Sequence, residues 1–208
     1  GATLLSGASA PAPLAATLTL TPTSAVPNQT IVLLGTGFTA ATTTGGAGPS
    51  SVHQITGNEP SVVKIGGVAL TSPQITYPIN LDTAGSLAAT LVVPVNTATL
   101  AGGSISVAVT DDQGITTSAT LTMVPRKITL NKTEGRRESD IRIEGTGFPA
   151  TNLSASGSFT VTVDYGGTPV ANITPDSDGE FETTFKVPPR AAIPSTNTVT
   201  ALIAGTTS

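Results

Sequence analysis

The chain runs to 208 residues, 38% apolar and 3% aromatic, with 11% charged residues and a formal net charge of −4. Cysteine is absent and histidine occurs once, which excludes disulfides, thiolate zinc sites and thiol catalysis. The acidic balance gives a nucleic-acid surface little basis, and no run of about 18 apolar residues is present to form a membrane-spanning helix.

From the N-terminus, Ala8-Ser9-Ala10 resembles a signal cleavage site, but no basic segment precedes it and Thr3-Leu4-Leu5-Ser6-Gly7 is too short for an apolar signal core. Residue 1 therefore reads as the start of a processed or excised chain. Residues 1–15 divide into a short apolar segment and a Pro/Ala linker. Strand-like alternation begins at Leu18–Pro22 and continues at Ile31–Ala40. A Gly/Ser/Thr-rich loop follows to about Pro60, then Val63–Gly67, Gly85–Pro94, Val107 and a last strand over Thr116–Val124. Threonine (38 residues), glycine (22) and proline (16) dominate throughout, as in strands joined by tight turns.

The same order then returns. Leu18–Pro22 and Ile31–Ala40 reappear as Ile128–Lys132 and Ile141–Ala150 at an offset of 110. Val63–Gly67 matches Val163–Gly167 at 100, Gly85–Pro94 matches Gly179–Pro188 at 94, and Val107 matches Val199 at 92. The shrinking offset means that the first copy carries longer loops. Two homologous modules, 16–125 and 126–208, are expected. Each reads as an antiparallel immunoglobulin-like β-sandwich of about seven strands, with no stretch of helical periodicity. Met123-Val-Pro-Arg126 leaves almost no linker, so the modules should be rigidly coupled.

The block strand–Gly-Thr-Gly-Phe, then a Gly-Gly turn, then Gly-x-Phe-x-x-x-Phe-x-Val-Pro resembles the IPT/TIG-type immunoglobulin-like repeats of bacterial or archaeal cell-surface and extracellular proteins. The resemblance covers residues 15–205 and is closest in the second copy; the first has Leu87 and Leu91 in place of Phe181 and Phe185. It implies a fold and a surface location, and carries over no catalytic residue.

Chemistry-bearing motifs are few. Gly35–Ala40 and Gly145–Ala150 match the G-x-G-x-x-A dinucleotide pattern, but no helix can open after either, so both read as strand-ending turns. Asp176, Asp178 and Glu180 offer oxygens for calcium, with Asp111 and Asp112 as further carboxylates; six to eight ligands are needed, and the spacing reads better as a hairpin tip. His53 stands alone without a nucleophile or a G-x-S-x-G elbow and reads as a solvated loop residue. Neither an enzyme nor a cofactor is expected. Four sequons, at Asn28, Asn131, Asn152 and Asn172, offer glycosylation sites. With Ser and Thr supplying 56 of 208 residues, about two of them would arise by chance.

The charged run Lys132–Glu144 reads as a charge-balanced hairpin facing water. Where the second copy has Arg142, Glu144, Glu182 and Lys186, the first has Val32, Leu34, Ala88 and Val92. The first module is thus expected to present a broad apolar sheet face, and a partner to cover it. At the offset of 92, a counterpart of Thr116–Val124 would begin at residue 208. The second module is therefore expected to lack its last strand, and Ala2, Thr3, Leu4 and Leu5 of a neighbouring copy to supply it. Together these features point to a structural subunit of an extracellular filament, pilus-like fibre or surface layer. Its partners would be copies of itself, with surface glycans as further candidates. The alternative is an adhesive or carbohydrate-binding module pair from a longer surface protein, which would want exposed aromatic platforms; the chain has two tyrosines and no tryptophan.

Overall fold

The computed structural model describes residues 14–42, 50–191 and 195–204. The proposed strand donor, residues 2–5, lies outside them. The chain is all-β, of immunoglobulin-like sandwich type, and its buried side chains form two separate cores with no member in common.

The first core lies between two sheets. One contains β1 (Thr17–Thr21), β3 (Thr30–Thr36) and β8 (Leu87–Val92) in the order β1-β3-β8. The other contains β2 (Ser24–Ala25), β5 (Val63–Ile65), β6 (Val68–Ala69), β9 (Gly103–Thr110) and β10 (Thr116–Met123), ordered β2-β10-β9-β5-β6. The chain passes from one sheet to the other between β1 and β2, and β2 then pairs in parallel with β10. Period-2 alternation drives this arrangement: along β3, Ile31 and Leu33 are buried while Thr30, Val32 and Leu34 are exposed. A two-stranded ribbon, β4 (Gln54–Ile55) with β7 (Ile79–Asn80), carries Ile55, Ile79 and Leu81 into the same core. The extra length of the first copy is thus partly core, where the sequence suggests only loop.

The second core lies between β11 (Lys127–Leu130), β12 (Asp140–Thr146) and β15 (Phe181–Lys186) on one side, and β13 (Val161–Tyr165), β14 (Thr168–Ile173) and β16 (Val199–Ile203) on the other. The repeat holds at the level of register. Gly35 faces Leu87 and Thr30 faces Val92 in one module; Gly145 faces Phe181 and Asp140 faces Lys186 in the other. The Gly-Thr-Gly-Phe block has a steric cause. A Cβ at Gly145 would come within 2.1 Å of the Phe181 ring, and one at Gly35 within 2.7 Å of Phe38. The second glycine turns the chain at φ +77 (Gly37) and +76 (Gly147), where side-chain-bearing residues are strained. Neither block opens a helix.

Among the described residues, the one element at odds with an all-strand reading is a single helical turn, α1 (Thr97–Leu100). Asn96 caps it, its Oδ1 accepting from the Thr99 N–H at 3.0 Å while Thr99 Oγ1 accepts from the Asn96 N–H at 3.1 Å. Leu100 leaves the first module and packs against the second core.

The two modules meet through a buried polar joint. Asn28, fully buried and at φ +65, donates from Nδ2 to the Ala150 carbonyl at 2.8 Å and the Gly157 carbonyl at 3.0 Å. Asn152 reciprocates, donating to the Asn28 carbonyl at 2.9 Å and to Thr30 Oγ1 at 3.0 Å. The Ala150 N–H donates to the Pro27 carbonyl, and Val26 Cγ2 would lie 2.9 Å from a Cβ on Gly179.

Candidate functional site

The two modules differ most along one seam. In the first, β10 pairs with β9 over its whole length and places Leu121 and Met123, both fully buried, in the core. It also lies against β1, with the Thr117 hydroxyl donating to the Ala16 carbonyl, so the sandwich is closed on that side. In the second module the corresponding strands are β11 and β16, and among the described residues no counterpart of β10 lies between them. A counterpart of β2 is absent from the described residues too, as expected when its only partner is β10.

Among the described residues, no strand lies beside β16 at Val199 and Ala201, and the core there is incompletely filled. The Gly166 N–H donates to the Thr198 carbonyl and the Ala204 N–H to the Thr160 carbonyl, so the even-numbered residues of β16 bond to β13. Antiparallel parity then turns the backbone groups of Val199 and Ala201 away from β13, toward the seam. Two cavities line it. One, of about 480 Å³, is bounded by Leu130, Ile141, Tyr165, Val187, Asn197 and Val199. The other, of about 350 Å³, is bounded by Leu100, Ile128, Phe148 and Ala201. The repeat says what belongs in the larger one. In the first module Ala119 faces Val107, Leu121 faces Ile105 and Met123 faces Gly103. At the offset of 92 those partners become Val199, Asn197 and Ser195, which all border the 480 Å³ cavity. That space therefore corresponds to the side chains of Leu121 and Met123. Neither composition nor motif singles out Leu130, Tyr165, Val199 and Ala201 as a site; the offset of Val107 from Val199 is the signal that locates it.

The expected apolar face of the first module is narrower than its sequence suggests. Val32 and Leu34 are 38% and 46% exposed, and Ala88 is exposed beside them. Val92 is not on the surface at all: it is 8% exposed, covered by the 71–75 turn, whose Gln74 carbonyl accepts from the Val92 N–H at 2.7 Å. Threonines 17, 19, 21, 30, 36 and 90 make up the rest of the exposed positions on that sheet. The second module's matching face is tied by charge: Arg142 pairs with Glu144 and Glu182, and Lys186 with Asp140 at 2.9 Å. The Lys186 hydrogen bond and charge hold the Asp140 carboxyl below its ordinary range.

Other candidates divide similarly. Asn28 cannot carry a glycan in this fold, because its amide is buried and donates to two carbonyls. Asn152 is half-buried and engaged at the same joint, whereas Asn131 and Asn172 are exposed. Asp176 Oδ1 accepts from the Asp178 and Glu180 N–H groups, so its carboxylate caps its own turn. No cluster of three potential metal ligands occurs among the described residues. Asp111, fully buried, is likewise a turn cap: burial opposes its charge, but the Thr39, Ile115 and Gln113 N–H groups and the Thr39 hydroxyl outweigh it and hold the carboxyl below its ordinary range. His53 is not a solvated loop residue; its Nδ1 lies 3.1 Å from Asp112, with 18% of the side chain exposed. Tyr77 accepts from the Val63 N–H and packs against the first core, and Tyr165 sits 6.2 Å from Phe185, centroid to centroid.

No protein-family model matches the chain, and no curated protein matches it. Among solved structures, the adhesin InvE of Yersinia pseudotuberculosis aligns over 90% of this chain with 15% identity and a TM-score of 0.32. The dimeric latent PorU of Porphyromonas gingivalis aligns over 86% with 13% identity and a TM-score of 0.24. The chain spans 58% of the first protein and 18% of the second. At such low scores the two neighbours say nothing about what this chain binds.

Proposed function

We propose that the chain is a structural subunit of an extracellular filament, pilus-like fibre or surface layer, built from repeats of IPT/TIG type and polymerised head to tail by strand donation. The observation that carries this reading is the seam between β11 and β16, where the first module holds β10 and the second holds cavities. A strand added to the edge of β16 would pair its backbone with Val199 and Ala201 and place alternate side chains in the cavities. The donor is the N-terminal segment of a second copy, with Ala2-Thr3-Leu4 in the places of Ala119-Thr120-Leu121.

Strand polarity agrees with this donor. Like β10 against β9, it would run antiparallel to β16, from the joint toward the free end of the second module. Its C-terminal end would emerge there, and Ala15 and Ala16 stand against Gly37 at the far end of the next copy's first module. A head-to-tail contact of this kind is heterologous and propagates an open fibre. The carbohydrate-binding alternative has less support, because both tyrosines pack against cores and neither offers an exposed platform.

Deleting residues 1–10 tests the proposal. The truncated chain should remain unpolymerised in electron micrographs, with a labile second module that an added peptide of residues 1–10 restabilises. Normal filaments from the truncated chain would overturn strand donation in favour of a strand supplied by following residues of a longer chain.

A further inference from the structure

The joint between the modules is built from two surfaces, and each surface occurs twice in the chain. The first is the loop bearing Asn28. Its repeat counterpart bears Glu138, and both residues sit at φ +65. The Asn28 N–H donates to the Val93 carbonyl at 2.8 Å, and the Glu138 N–H to the Val187 carbonyl at 2.9 Å. The second surface is the turn that opens at Asp176 and contains Gly179. Its counterpart opens at Asp82 and contains Gly85: Asp82 Oδ1 accepts from the Ala84 and Ser86 N–H groups as Asp176 Oδ1 does from Asp178 and Glu180. The Phe38 N–H donates to the Gly85 carbonyl as the Phe148 N–H does to that of Gly179.

One Asn28-type loop and one Asp-turn meet inside the chain. The other pair, the Glu138 loop and the Asp82–Ser86 turn, lies at its two opposite ends and repeats the same backbone and turn-cap hydrogen bonds. We infer that a second copy of this chain docks end to end by repeating the internal joint, the free end of one copy's second module receiving the far end of the next copy's first module. Transferring the internal contacts by the repeat offsets fixes the residues that meet. Val26, which lies over Gly179, becomes Arg136, and the turn beneath it becomes Asp82–Ser86. Asn152, which donates to the Asn28 carbonyl, becomes Thr42, placed against Glu138.

The charges agree with this match. Arg136 and Asp82 are both exposed and of opposite sign. Lys132, Glu134, Arg137, Glu138 and Arg190 are exposed as well, so residues 132–138 with Arg190 carry four basic and two acidic side chains. At the other end stand Asp82 and Asp112, and Lys64 is the only basic residue before Arg126. The inner joint is held by uncharged amide hydrogen bonds, whereas the outer one is ionic. The outer contact should therefore weaken with salt while the inner one does not.

The test uses the full chain. Reversing one charge, by Arg136→Glu or by Asp82→Lys, should weaken self-association measured by sedimentation about fivefold, the scale of an exposed ion pair. The double reversal should restore it. Because the chain has no cysteine, Arg136→Cys and Asp82→Cys proteins can be mixed and bridged with a short bismaleimide. The mixed dimer should exceed that formed with Thr120→Cys, which lies exposed in the middle of β10. Equal yields, or a double reversal no better than either single one, would overturn the end-to-end contact. Strand donation is read separately: if the residue 1–10 deletion still cross-links 136 to 82 but forms no filaments, both ideas stand. Filaments from that deletion sink donation alone, and a control-level cross-link sinks the end-to-end contact alone.

Discussion

Asn28 is the residue on which the coupling of the modules should depend most. Replacing it with glycine keeps the φ of +65 accessible while removing both Nδ2 hydrogen bonds and leaving the Ala150 and Gly157 carbonyls without them. At a net ~0.5–1.5 kcal/mol per bond, Asn28→Gly should cost about 1–3 kcal/mol. Asn28 Oδ1 is itself buried without a partner, so its removal returns part of that loss and the lower half of the range is expected. Asn28→Ala should cost ~1–2 kcal/mol more, because a Cβ is strained in the left-handed region. The loss should fall on the joint, since each module has its own core. Urea unfolding followed by NMR of methyl groups from both cores should show one shared transition for the wild type, splitting into two in the glycine variant. If Asn28→Gly unfolds in a single transition at an unchanged midpoint, the joint does not couple the modules and the argument fails.

Three further outcomes are expected. Gly145→Ala should destabilise the second module by about 1–3 kcal/mol through its clash with the Phe181 ring, read as a lower midpoint for that module's methyl signals alone. Leu34→Lys should change stability by less than about 0.5 kcal/mol, whereas Val92→Lys buries an unpaired charge and should unfold the first module or cost several kcal/mol; similar denaturation curves for the two would contradict the burial assigned to Val92. Asp111 has a folded-state pKa below its unfolded one, so its contribution is complete above the ordinary carboxylate value near 3.8 and is lost as pH falls through the folded value. Asp111→Asn should therefore lower stability at neutral pH and flatten its decline in acid, a difference that thermal melts between about pH 2 and 5 would resolve.

Much of the architecture is legible in the residues themselves. Alternation of apolar and polar residues marks the strands because side chains in a pleated strand point to opposite faces, and the duplicated blocks carry one module's pairing onto the other: Gly35 with Leu87 becomes Gly145 with Phe181 at offsets of 110 and 94. The seam is marked by the same offsets, since among the described residues no counterpart of β10 lies beside β16. What one repeat shows of the other ends where nonlocal segments cover a surface. Val92 aligns with exposed Lys186 yet is buried, because the 71–75 turn, which belongs to the longer first copy, lies over it. His53 reads as solvated until the fold brings Asp112 beside it from 59 positions away. Asn28 reads as a glycan acceptor and proves to be the centre of a joint, because its partners Ala150 and Gly157 come from the other module. Local pattern determined most of the strands and the repeat that relates them; pairing and burial depend on which distant backbone comes to lie on a residue, and only the tertiary structure decided that.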